Sequence, residues 1–173
     1  MLQQDQVIEK LSEIATVRGF LAFSTQQISE HIEQLIQRVF RKEDFALKSV
    51  VDSLFEHQGP LAELPVRLKL LLGLGVISAN TYEDVNAFFQ FKLALSDEVE
   101  EPTFSSPPVI YFVQQLHCVD LISIPQFSEM KLLNNKDSMQ FQMQQIRLEK
   151  IIKSSLILGV SEILRSLDVE SPI

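Results

Sequence analysis

An all-α fold, a single compact domain of about seven helices, is what this sequence predicts, and three observations carry that expectation. Apolar residues recur at spacings of three and four through most of the chain, which lines up one face of a helix. No segment alternates apolar and polar residues for a useful length, so no sheet is indicated. There is also no internal repeat, and no linker long enough to divide residues 1–173 into separate units.

The first helix is expected from Gln3 to about Val17, on Val7, Leu11, Ile14 and Val17, with Gly19 marking its end. Phe20, Leu21, Ser24, Ile28, Ile32, Leu35, Ile36 and Val39 continue the period for about five turns. Arg38, Arg41 and Lys42 gather at the C-terminus of this second helix, where positive charge suits the dipole. Asp44 can cap a third helix that runs to about Glu56. Gly59-Pro60 signals a turn, and Pro65 suits the first turn of a fourth helix because its missing N–H costs nothing there. From Val66 to Leu74 the only charges are Arg67 and Lys69, so this helix should sit centrally, as should the aliphatic region around Leu156 to Leu164. Gly75 is placed as a left-handed stop followed by an apolar Val76, whereas Gly73 inside the helix calls for the close approach of another backbone.

Ser78, Asn80 and Thr81 are alternative caps for a fifth helix through Phe88, Phe89, Phe91 and Leu95, with Glu83 and Asp84 in its first turn. The stretch SDEVEEPTFSSPP, Ser96 to Pro108, reads as a charged surface loop. Ser106 and Pro107 then open a short helix to about His117. Leu121 to Lys136 has no sustained period and contains Pro125, so it reads as irregular. A long helix from about Ser138 to Leu167 carries Met139, Met143, Ile146, Ile151, Leu156, Val160, Ile163 and Leu167, and its aliphatic second half should be the more deeply buried.

A chain of 173 residues that is 46% hydrophobic can build its own core, and a net charge of -8 argues against a protein whose main task is to coat nucleic acid. One cysteine cannot make an internal disulfide, and MLQQDQVIEK has acids where a secretion signal would have a basic region and an apolar run. The cytoplasm is the expected compartment. The apolar segment Ser154 to Ser161 is far short of the roughly 20 residues a membrane helix needs.

Chemistry is sparse. His117 and Cys118 are neighbours, but adjacent residues at a helix end point in different directions, so buried packing explains the cysteine better than nucleophilic catalysis. His31, His57 and His117 lie far apart with no metal-ligand spacing, and Gly73-Leu74-Gly75 follows a helix and lacks the Lys-Ser/Thr of a phosphate loop. No catalytic residue, metal or cofactor is therefore expected. A helix-turn-helix needs a recognition helix that starts with polar and basic residues, but after Gly75 the sequence offers Tyr82, Glu83 and Asp84. Two basic clusters are the candidate contacts for DNA or a partner, Arg38, Arg41, Lys42 with Lys48, and Arg147, Lys150, Lys153; helix-end charge is the simpler account of both. Arg67, inside VRLKLLLGL, must reach water or pair. Glu83, Asp84, Glu43 and Asp44 are its candidate partners, and the alternative role is to anchor an anionic ligand.

Several segments also carry a likeness. GPLAELPVRLKLLLGLGVI (Gly59 to Ile77), VFRKEDFALK (Val39 to Lys48), Tyr82-Glu83-Asp84, Leu116-His117-Cys118-Val119 and Pro125-Gln126-Phe127 resemble the mannitol operon repressor family, over about Arg18 to Arg165. The resemblance implies a helical negative regulator of mannitol uptake and utilisation genes that is not an enzyme and has no recognisable DNA-binding motif. The expected mechanism is protein–protein, toward another regulator or a component of the sugar phosphotransferase pathway. The alternatives are direct DNA binding through a basic patch formed in a homodimer, and a polyol or sugar-phosphate sensor.

Overall fold

The computed structural model describes residues 2–40, 45–56, 58–120 and 139–169. Seven helices and no strand form among them: α1 (Gln4–Glu13), α2 (Val17–Val39), α3 (Phe45–Phe55), α4 (Leu64–Gly73), α5 (Ala79–Ser96), α6 (Pro107–Gln115) and α7 (Met139–Leu167). None of the described helices is long and apolar enough to cross a membrane. The expected Asp44 cap, the irregular Leu121 to Lys136 segment and Pro125-Gln126-Phe127 lie outside the described residues.

α2 is the element around which the rest is arranged, packing on α1, α4, α5 and α7. Its stripe of Phe20, Leu21, Ile28, Ile32 and Leu35 is essentially solvent-free, and α7 meets it with Ile152, Leu156, Val160, Ile163 and Leu167. α5 supplies Val85 and Phe88, and α6 supplies Val109, Phe112 and Val113. Phe112 stacks on Phe91 at 4.4 Å and meets Phe88 edge-on at 5.0 Å, which locks α6 onto α5.

The caps refine the expected boundaries. Gly19 does not end α1; it lies in the first turn of α2 and donates its N–H to Oγ1 of the N-cap Thr16 at 3.1 Å. Ser78 is the residue that caps α5, accepting the Thr81 N–H at 3.1 Å. Gly75 has φ of 70°, and the bonds Gly75 N–H to Leu72 O and Val76 N–H to Leu71 O close α4 with a Schellman motif.

Three expectations are corrected. The central position foreseen for α4 belongs to α2 instead: on α4 only Leu68 and Leu71 are fully buried, and Leu74 is 45% exposed. An apolar composition sets how much a helix can bury, but among the described residues this ten-residue helix packs mainly against α2 and α5. The close backbone approach assigned to Gly73 is absent, since a Cβ there would meet nothing within 4 Å. At Gly159 of α7 side chains come close instead, since a Cβ there would lie 2.8 Å from a Val119 methyl and 3.1 Å from Cys118 Sγ. Finally, the acidic loop is not purely a surface excursion, because Phe104 is buried and packs edge-on against Phe20 at 5.7 Å.

Arg67 is mostly buried, with 15% of its side chain exposed, and its partners are all in place. Nε donates to Leu61 O at 2.8 Å, one terminal nitrogen to Phe55 O at 3.3 Å, the other bonds the Glu33 carboxylate, and the guanidinium lies over the Phe55 ring. Of the acids foreseen as its partner, Glu83 and Asp84 are engaged elsewhere and Glu43 and Asp44 lie outside the described residues; Glu33 of α2 reaches it because α4 packs across α2. Replacing Arg67 by Met keeps the stem but strands two carbonyls, so Arg67→Met should lower stability by about 2 kcal/mol, read as a melting temperature roughly 4–8 °C lower.

Candidate functional site

The polar residues with the most organised geometry converge where the start of α5, the turn after α6 and the second half of α7 meet. Asp84, on the second turn of α5, is only 3% exposed. Its two carboxylate oxygens accept consecutive backbone N–H groups, His117 at 2.7 Å and Cys118 at 2.9 Å. A buried carboxylate is tolerable only when such bonds replace its hydration, and charge-assisted bonds to N–H are among the stronger ones available. The turn held in this way places Cys118 and Val119 against Gly159, where the lack of a side chain makes room.

Beside it, His117 Nε2 and Glu83 Oε2 are 2.6 Å apart in a largely exposed pair. The two short motifs Tyr82-Glu83-Asp84 and Leu116-His117-Cys118-Val119, distant in sequence, are thus one feature in space. Their acids do not simply serve the dipole of the first turn, as expected; one pairs with a histidine and the other holds a turn. The Cys118 thiol is pushed far up from its ordinary range, first by burial and then by the Asp84 charge, so it stays protonated and is a poor nucleophile. A small cleft of about 220 Å³ opens here, lined by Asp84, Glu162 and the hydroxyls of Ser78, Thr81 and Ser166, with no lysine or arginine in its wall.

The basic clusters read from sequence come apart. Arg38 donates to Leu167 O at 3.0 Å and lies 3.8 Å from Asp168, so it caps α7 rather than its own helix. Lys153 donates to Ser12 O at 2.8 Å and Ile14 O at 2.5 Å, closing the C-terminus of α1, with its ammonium over the Phe104 ring. Arg147 and Lys150 sit exposed on α7. Arg41 and Lys42 lie outside the described residues, as does the side chain of Lys48. A residue not singled out from sequence, Arg18, reaches across to the acidic loop. It bonds Glu101 through both its backbone N–H and its guanidinium, and also the carbonyls of Leu95, Glu98 and Glu100. An acidic run following a helix is the only sequence signal that could have suggested a cationic partner for it.

Asp84 and Glu83 separate a structural acid from a surface one. Asp84→Asn exchanges an acceptor for an amide N–H that faces a backbone donor, and should cost about 2–3 kcal/mol in urea unfolding. Glu83→Gln, which weakens only an exposed pair, should cost less than about 1 kcal/mol.

With this geometry in place, comparison with known proteins is informative. The family model described as mannitol repressor matches residues 3–168. The mannitol operon repressor of Escherichia coli K12 is 32% identical over 168 residues, which cover 96% of this chain and 83% of that protein. A chain of the X-ray structure of the MtlR-HPr complex from Escherichia coli superposes with a TM-score of 0.85 at 31% identity, covering 96% of this chain and 98% of that one. Fumarase E of Escherichia coli K12 is 23% identical over 167 residues, 96% of this chain and 97% of that protein. Since the match extends through every described helix, this chain belongs to the mannitol repressor family.

Proposed function

We propose that this protein is a cytoplasmic negative regulator of a mannitol uptake and utilisation operon, and that it acts by binding HPr of the phosphotransferase system rather than through a DNA-reading helix of its own. The observation that carries the proposal is the end-to-end likeness, at 31% identity, to the chain crystallised in the MtlR-HPr complex. The distribution of charge supports it. Arg38 and Lys153 are engaged with helix C-termini, which leaves Arg147 and Lys150 as the exposed members of the two clusters among the described residues. Those two, with Arg41 and Lys42 outside the described residues, fall short of the roughly 6–10 phosphate contacts that give a DNA-binding protein its steep salt dependence. Arg67 already has the Glu33 carboxylate as its counter-ion and donates to two carbonyls, which argues against the role of anion anchor.

The likeness to Fumarase E is weak, and fold does not carry activity with it. A dicarboxylate substrate needs cationic partners, but the cleft beside Asp84 has two carboxylates in its wall and no lysine or arginine, its His117 is paired with Glu83, and the Cys118 thiol is held protonated. On these grounds the protein is proposed to be a binding module without catalytic activity.

The decisive comparison uses the purified full-length chain. Calorimetry against the HPr encoded by the same genome should give a saturable heat, and gel shifts on promoter DNA of the mannitol operon should show no specific complex at about 150 mM salt. Deleting the gene should raise operon expression. A specific shift that survives competitor DNA and disappears in an Arg147→Gln, Lys150→Gln double variant, with no heat against HPr, would establish direct repression instead.

A further inference from the structure

A second cleft, remote in composition from the Asp84 corner, is closed by the start of α1, the middle of α2 and the end of α7, and has a volume of about 310 Å³. Leu2 and Leu164 form its apolar wall, and His31 contributes the polar atom that matters. His31 is only 7% exposed. Its Nδ1 lies 2.8 Å from Gln27 O, and since a carbonyl can only accept, Nδ1 carries the proton. In the neutral imidazole Nε2 is then a bare acceptor, and it has no hydrogen-bond partner among the described residues. His31 is one of the residues that line the open cleft.

The charges of the wall cancel in pairs. Arg165 is bonded by Glu162 at 2.6 Å, and Asp168 lies 3.8 Å from Arg38. An anion entering the cleft would therefore have to share Arg165 with Glu162, and a cation would have to share Asp168 with Arg38. Gln4, also in the wall, has its amide nitrogen committed to Ser161. Besides the exposed amide of Gln3, the cleft offers an apolar surface and one buried acceptor, the combination of a small-molecule site with few convergent polar groups.

We infer that this cleft is a binding site for a small neutral molecule with an apolar body and a single hydroxyl or N–H donor, which bonds His31 Nε2. This ligand class differs from a polyol, whose hydroxyls turned toward Leu2 and Leu164 would have no partner, and from a sugar phosphate, whose charge would meet an Arg165 already shared with Glu162.

The test follows the His31 ring nitrogens and the Leu164 methyls by NMR on the full-length protein, with cyclohexanol as the probe. Methoxycyclohexane tests the donor, mannitol a polyhydroxyl ligand and inorganic phosphate an anion. His31→Phe assigns the ring signals; if that variant does not fold, His57→Gln and His117→Gln leave His31 as the only histidine signal that matters. The expected result is a saturable shift of both His31 Nε2 and Leu164 with cyclohexanol, about tenfold weaker binding of methoxycyclohexane, and no saturable shift with mannitol or phosphate. Equal binding of the alcohol and the ether, a response to mannitol or phosphate instead, or no saturable response to any probe would each overturn the inference.

Discussion

The constraint on which this fold depends is the use of scarce positive charge to satisfy backbone carbonyls at helix ends. The chain has 15 lysines and arginines against 23 acids, and every helix leaves its last carbonyls without intrahelical partners. Four helices are closed by a cation delivered from another element: α1 by Lys153, α3 by Arg67, α5 by Arg18 and α7 by Arg38. α4 solves the same problem by backbone means, through the left-handed Gly75. Each cation gains from the negative end of a helix dipole as well as from the hydrogen bond, and each ties two elements together. α2 is involved three times, giving Arg18 and Arg38 and, through Glu33, holding Arg67.

Asp84 is the counterpart on the acidic side. It satisfies two N–H groups at the turn after α6, and that turn in turn rests on Gly159 of the longest helix. A short loop that would otherwise expose unpaired donors is thereby joined to both α5 and α7. The corner reads as a structural joint with an exposed His117–Glu83 pair on its surface, not as a reaction centre.

Much of this was legible in the sequence, but unevenly. The helical period located all seven helices, and Gly75 announced its own role because a left-handed stop is a local property of the backbone. Direction of burial was harder: the stretch from Val66 to Leu74 is more apolar than most of α2, yet α2 is the buried one, because the number of neighbours is decided by topology. The cations were the least legible. Arg38 stands at the end of its own helix and suggested a local cap, whereas its carbonyl belongs to Leu167, 129 residues further on. Arg67 likewise reaches Glu33 across a helix crossing that no spacing rule describes. Asp84 looked like a first-turn acid, and nothing local distinguishes it from Glu83 beside it.

The functional consequence is that four of the 15 cations, Arg18, Arg38, Arg67 and Lys153, are engaged with helix ends rather than offered to a partner. The most direct measurement of that claim is thermal unfolding of four single variants, Arg38→Gln, Lys153→Gln, Arg147→Gln and Lys150→Gln. Removing a cap of about 1–2 kcal/mol should lower the melting temperature by roughly 3–6 °C for the first two, while the exposed pair should melt within about 1 °C of the parent. If Arg38→Gln and Lys153→Gln instead melt like the parent while binding to promoter DNA falls, those cations face nucleic acid rather than the helix ends, and the account is wrong.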